Sequence, residues 1–109
     1  VIYFSPTCDH CKEFTEELLK HEDELKNKQL VMITYLPLAD LKTFDSLYDL
    51  SSKPFFKLGT EGYSFIVRKY YNIERFPFVA LYDKQMKLIK ILPGLDKPEV
   101  LAEAVINFK

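Results

Sequence analysis

Apolar positions along this chain change their period several times, and each change marks an element. Val1-Ile2-Tyr3-Phe4 is a short β-branched and aromatic run, broken by Ser5-Pro6-Thr7, a turn that also offers a helix cap. Cys11, Phe14, Leu18, His21 and Leu25 then recur at steps of three and four, which predicts one helix from Cys8 to about Asn27. Glu16–Lys20, Glu22–Lys26 and Glu24–Lys28 are spaced i,i+4 on the opposite side and read as a solvated face. His21 falls on the apolar stripe and reads as a boundary histidine with a local hydrogen bond rather than a ligand. Leu30 to Leu36 is almost continuously apolar, as a strand covered on both faces would be, and Pro37 ends it. Strand, helix and strand in this order predict a parallel pair joined by a right-handed crossover.

Leu41, Phe44, Leu47 or Tyr48, and Leu50 mark a second amphipathic helix over residues 38–50. Phe55-Phe56-Lys57-Leu58 is a brief apolar run before Gly59 and a candidate edge strand. Phe65, Ile66, Lys69 and Tyr70 have helical spacing in a segment that opens at Thr60 or Gly62 and ends near Asn72. Residues 78–82 and 87–92 flank Asp83-Lys84-Gln85-Met86 as two strands of a hairpin, the second alternating so that one face is wetter. Pro93-Gly94 closes it. Pro98 sits in the first turn of a last helix whose buried face is expected to hold Val100, Leu101, Ala104, Val105 and Phe108.

Chemistry concentrates at one junction. Both cysteines of the chain lie in Cys8-Asp9-His10-Cys11, where the first β-run gives way to the first helix. Unpaired backbone N–H groups and the helix dipole favour a thiolate at such a position, and can bring a cysteine pKa from about 8.5 to roughly 3.5–7.5. Residues three apart on one helical turn lie about 5–6 Å from each other, within reach of a disulfide. That bridge would be a poor staple: closing so short a loop contributes only about 2 kcal/mol, against about 3 for fifteen residues. Redox turnover explains the pair better. A protonated His10 would stabilise the Cys8 thiolate and Asp9 would oppose it, so these two tune the pair.

Composition narrows the field. At 109 residues, with nine Phe and seven Tyr, the chain has the size of one domain over residues 1–109. A start at Val1 inside a strand pattern reads as a segment of a longer chain. Fifteen basic against sixteen acidic residues, a formal net charge of −1, supply no field for nucleic acid or an anionic membrane. No apolar run approaches a membrane span. Two cysteines at this spacing fit a redox motif or half of a zinc site, not a secreted disulfide framework.

Taken together, the element order, Cys8-Asp9-His10-Cys11, and the segment Tyr71-Asn72-Ile73-Glu74-Arg75-Phe76-Pro77-Phe78-Val79 resemble the thioredoxin superfamily. The resemblance implies an α/β fold with a mixed central sheet of four core strands, a candidate extra edge strand, flanking helices, and no counterpart of the usual first strand and helix. It implies that Phe76–Pro77 is cis and packs against the cysteine pair, with Pro6, Thr7, Phe76 and Pro77 binding substrate. The longer connection between the second strand and Pro77 is similar to the insertion of bacterial extracytoplasmic thiol-disulfide oxidoreductases. From that likeness come the expected activity, disulfide exchange with protein thiols through Cys8 and Cys11, and the expected place, the bacterial periplasm or cell envelope rather than the cytoplasm. It also implies protein thiol or disulfide substrates, a redox partner protein, and no cofactor beyond the Cys8–Cys11 disulfide. Three positions depart from thioredoxin itself: Ile2 where it has a buried acid, His10 where it has proline, and bulky Phe76 before the cis-proline.

Two other readings stay open at this point. A thioredoxin-like scaffold can serve as a binding or assembly module with little redox turnover. Cys8 and Cys11, with His10, could instead hold copper or zinc, although the chain has no further cysteine to complete a four-ligand zinc site. The expected site itself contains no metal.

Overall fold

The computed structural model describes residues 1–94 and 96–108. Its centre is a very short strand, β1 (Ile2–Tyr3), flanked by β2 (Leu30–Thr34) on one side and β4 (Phe78–Tyr82) on the other. β3 (Phe56–Thr60) adds outside β2 and β5 (Leu88–Leu92) outside β4, giving the order β3-β2-β1-β4-β5. β1, β2 and β3 run parallel, whereas β4 is antiparallel to β1 and to β5. The candidate edge strand is therefore real: Phe56 to Thr60 pairs residue by residue with Leu30 to Thr34, making a five-stranded sheet around the four expected strands. The parallel pair β1–β2 and the antiparallel hairpin β4–β5 match the sequence reading.

Because side chains alternate along a strand, the two faces of the sheet bury different residues. Ile2, Met32, Val79 and Leu81 join the larger cluster, where α1 (Asp9–Lys20) contributes Phe14 and Leu18, and α3 (Leu38–Tyr48) contributes Leu41 and Phe44. α5 (Pro98–Asn107) closes this face with Leu101, Ala102, Val105 and Ile106. Tyr3, Phe78 and Ala80 point to the opposite face, which a short helix, α4 (Ile66–Tyr71), covers together with Ile73 and a set of aromatic rings.

Several boundaries differ from those predicted. The first helix is broken at His21 into α1 and α2 (Glu22–Leu25), with His21 N–H closing a tight turn on the Leu18 carbonyl. The apolar stripe survives this bend, since Leu18 and Leu25 are both fully buried. His21 itself is exposed and bonds Glu24 through Nδ1 at 3.2 Å, the local contact expected for it. In place of the expected i,i+4 pairs stand Lys20–Glu17 and Lys26–Asp23 at i,i+3, while Glu16 accepts from the Tyr48 hydroxyl at 2.6 Å.

The segment expected to be a helix from Thr60 or Gly62 is instead the end of β3, a 3-10 turn (Gly62–Ser64) and α4. Phe65 and Asn72 bracket α4 in the left-handed region, and Asn72 is a residue type that tolerates it as a helix stop. On the last helix the buried face is turned by about one position: Ala102 and Ile106 are inside, whereas Val100 is 48% exposed. β5 departs further from its alternation, with Leu88, Ile89 and Ile91 all 40% or more exposed and Leu92 alone buried. As the sheet edge it has one neighbour only, and neither face is closed over residues 88–91.

Candidate functional site

Ser5 to Thr7 turns the chain sharply out of β1, with the Cys8 N–H donating to the Ser5 carbonyl at 3.1 Å. Cys8 is then the N-cap of α1, extended at φ −85 and ψ 125, and accepts the first helical bond from Lys12 N–H. No side chain caps this helix start: the Ser5 and Thr7 hydroxyls pair with each other at 3.1 Å instead, so the cap expected in Ser5-Pro6-Thr7 is absent. Asp9 and His10, in the first turn, are both exposed.

Three residues on, one helical turn carries Cys11 inward. The two thiols are free and unlike: Cys8 is half-buried, Cys11 is 1% exposed within the main core. Burial pushes the Cys11 thiol far above its ordinary value, the Ser5 backbone hydrogen bond opposes this in part, and the charge and hydrogen bond of Cys8 raise it further. A buried proton-holding sulfur thus lies directly behind an accessible one.

Opposite Cys8 the chain enters β4 through Phe76–Pro77, whose peptide bond is cis. Pro77 is buried and Phe76 half-buried. A groove of about 490 Å³ runs between these elements, walled by Cys8, His10, Arg75, Phe76, Gly94 and Pro98. Gly94 has φ +85 and comes so close to the proline loop that a Cβ there would lie 2.9 Å from the Pro77 carbonyl oxygen. Only glycine fits that approach without strain.

Of the residues singled out from sequence, the fold brings Cys8, His10 and Phe76 into one groove, while Cys11 is buried one helical turn on from Cys8 and Pro77 is buried next to Phe76. Asp9 is exposed outside its walls, and so is Thr7, while Pro6 is buried in the turn. Sequence reasoning passed over Gly94 as a site residue, and also Arg75 and Pro98; only the glycine after Pro93 carried a signal, that of a tight turn. Among the described residues no group of three or more His, Cys, Asp or Glu is arranged to hold a metal ion. None of the helices described is long and apolar enough to cross a membrane.

On the other side of Phe76 lies a polar relay that nothing in the linear pattern indicated. The fully buried Tyr3 donates its hydroxyl to Glu61 at 2.5 Å, and the other Glu61 oxygen accepts the Val67 N–H at 2.8 Å. Burial alone would raise the Glu61 carboxyl, but the bonds from Tyr3, Val67, Arg68 and Ile66 outweigh it and hold the group below its ordinary value. Tyr3 is pushed up by burial and by the same carboxylate. This relay ties β1 to the start of α4.

No protein-family model and no curated protein matches the chain. Solved structures do. A secreted disulfide oxidoreductase of Mycobacterium tuberculosis homologous to E. coli DsbE superimposes at a TM-score of 0.75 with 15% identity, over 98% of this chain and 78% of that one. The exposed lipoprotein thioredoxin Etrx1 of Streptococcus pneumoniae follows at 0.68 and 16%, covering 98% and 82%. StoA of Bacillus subtilis gives 0.67 and 17%, covering 94% and 77%. The chain therefore has the thioredoxin-like α/β fold of these proteins.

Proposed function

We propose that the protein is a thiol-disulfide oxidoreductase that exchanges disulfides with protein thiols through Cys8 and Cys11. One observation carries this reading: an accessible sulfur at the start of α1 has a deeply buried sulfur one turn behind it and shares its groove with the residue preceding the cis-proline. The roles divide accordingly. In the reducing direction the Cys8 thiolate attacks one sulfur of a substrate disulfide, forming a mixed disulfide and releasing the other substrate sulfur as a thiolate. Cys11 then loses its proton and attacks the Cys8 sulfur, closing the Cys8–Cys11 disulfide and releasing the second substrate thiolate. Two electrons pass to the substrate, and its two sulfurs leave as thiols once protonated. The oxidising direction is the reverse, and the reduction potential of the pair against its surroundings sets which one runs.

Open N–H donors at the uncapped helix start stabilise negative charge on sulfur during exchange. Asp9 and His10 adjust that charge from the exposed side, and Pro6 and Thr7 shape the approach beside Cys8. Phe76 and the Pro77 backbone receive an extended substrate segment across the groove. The active unit needs no cofactor beyond its own disulfide, and its partners are protein thiols and a protein that resets the pair. An oxidising envelope compartment suits this chemistry. The secreted and exposed character named for two of the structural neighbours supports it.

Insulin reduction in the presence of dithiothreitol tests the proposal. Catalysed precipitation by the wild type, abolished in Cys8→Ser, is expected; a wild type no faster than dithiothreitol alone would leave a binding scaffold in place of an enzyme.

A further inference from the structure

Arg68 projects from α4 onto three aromatic rings, of which Phe76 also walls the groove. Its guanidinium carbon lies 5.4 Å from the centroid of Phe76, 5.5 Å from Tyr35 and 5.8 Å from Phe65. The rings form one surface: Phe76 stacks on Tyr35 at 5.9 Å, and Tyr35 leans on Phe65 at 5.9 Å. A half-buried cation held against three aromatic faces is positioned by them, yet its guanidinium has no carboxylate partner among the described residues. Among the described residues no acidic group lies within 4.0 Å of it. The natural candidate, Glu61, is engaged by the Tyr3 hydroxyl and by the Val67 and Arg68 backbone N–H groups, the last at 3.3 Å.

The guanidinium's own hydrogen bonding is also unfinished. Nε donates to the Ile73 carbonyl at 3.4 Å, and the two terminal nitrogens have no protein acceptor among the described residues. They are not buried orphans either, since no buried side-chain nitrogen or oxygen described here lacks a partner. They therefore face solvent as a planar fork of unused donors, the geometry that takes a carboxylate through two parallel bonds. The charges on the groove rim do not settle a preference, because Glu74 and Asp96 are balanced by Arg75 and Lys97. Beside Arg68 the one carboxylate described is Glu61, and it meets the Arg68 backbone N–H rather than the guanidinium.

We propose that Arg68 is a subsite for an acidic side chain of the substrate polypeptide: a Glu or Asp near the reacting cysteine seats on the guanidinium while its apolar neighbours lie on Phe76, Tyr35 and Phe65. The inference rests on the redox reading of the groove for its physiological meaning, but its test does not. Fluorescein-labelled octapeptides carrying serine in place of the cysteine, and either Glu, Gln or Lys at flanking positions, are titrated into the oxidised protein and followed by anisotropy. The Glu peptide is expected to bind about fivefold tighter than its Gln twin at low salt, as a half-exposed charge-assisted pair allows, with the Lys peptide weakest. The gap should shrink as salt rises. It should close in Arg68→Met, which keeps the stem but not the fork, and reopen in part in Arg68→Lys. Equal affinity for Glu and Gln peptides in the wild type, affinities all weaker than about 1 mM, or a preference that persists in Arg68→Met would each overturn the proposal. The wild-type comparison stands even if a variant fails to fold. Insulin reduction on the same preparation separates the two claims: an inactive protein that still prefers Glu retains the Arg68 subsite and loses the redox reading.

Discussion

Replacing Gly94 by alanine should damage the protein far more than its position in a surface turn implies. The added Cβ would meet the Pro77 carbonyl oxygen at 2.9 Å and the Arg75 Cβ at 3.2 Å, on a backbone at φ +85. Neither neighbour is the end of a flexible side chain, so relief requires moving the chain. The left-handed backbone costs about 1–2 kcal/mol for an L-residue, and the forced displacement about 1–3 kcal/mol more. A loss of roughly 2–5 kcal/mol is a large part of the 5–15 kcal/mol that ordinarily holds such a domain together. In a thermal melt it corresponds to a fall of roughly 10–25 °C. Gly59→Ala is the matched control: its Cβ meets nothing within 4 Å and its φ lies outside the left-handed region, so it should stay within about 0.5 kcal/mol of wild type. Urea unfolding followed by circular dichroism measures both, and insulin reduction should fall in Gly94→Ala because the displaced loop carries the Phe76 wall. A Gly94→Ala protein as stable and as active as Gly59→Ala would refute the close packing of the two loops and the groove built on it.

Three further outcomes follow from the charge and burial pattern. Burial makes Cys11 keep its proton in the folded protein well above the ordinary thiol value, so the reduced protein should lose stability as pH rises through the range where the unfolded thiol ionises first; denaturant melts of Cys11→Ala should lack that alkaline component. Glu61 is held below its ordinary value of 4.5, so its contribution is present above that pH and lost as pH falls through the depressed value; Glu61→Ala should cost about 1–3 kcal/mol near neutrality, by orphaning the Tyr3 hydroxyl, and show a shallower acid decline. Ile89→Lys, on the exposed stretch of β5, should change the unfolding free energy by less than about 0.5 kcal/mol, and a loss above 2 kcal/mol would mean that this face is covered in solution.

The parts of this molecule that were readable in its sequence are those governed by local chemistry. The cysteine spacing, the strand stop at Pro37, the helix start at Pro98, and the hairpin around residues 83–86 all act within a few positions of where they stand. Cys8 at the head of α1 followed from the turn before it and the helical spacing after it, and the parallel β1–β2 pair from the order strand, helix, strand. What escaped depends on the sheet as a whole. The alternation of residues 87–92 predicts a buried face only if something covers it, and β5 is an edge with open faces. The turn of α5 that buries Ala102 and Ile106 in place of Val100 is set by its packing against α1. The break at His21 has no glycine or proline to announce it. Arg68 and Glu61 look like ordinary surface charges until the fold lays α4 across Tyr3 and Phe76. The cis form of Phe76–Pro77 was expected through family resemblance, because nothing in the residues themselves distinguishes it from a trans proline opening a strand.

The division of labour between the two sulfurs can be read directly by mass spectrometry. Cys8→Ser and Cys11→Ser proteins, each reduced and then exposed briefly to a small peptide disulfide near neutral pH, are quenched with acid and mapped by proteolysis. The account predicts a stable mixed disulfide on Cys8 in the Cys11→Ser protein and almost none on Cys11 in the Cys8→Ser protein. Equal labelling of both, or labelling of Cys11 first, would contradict it.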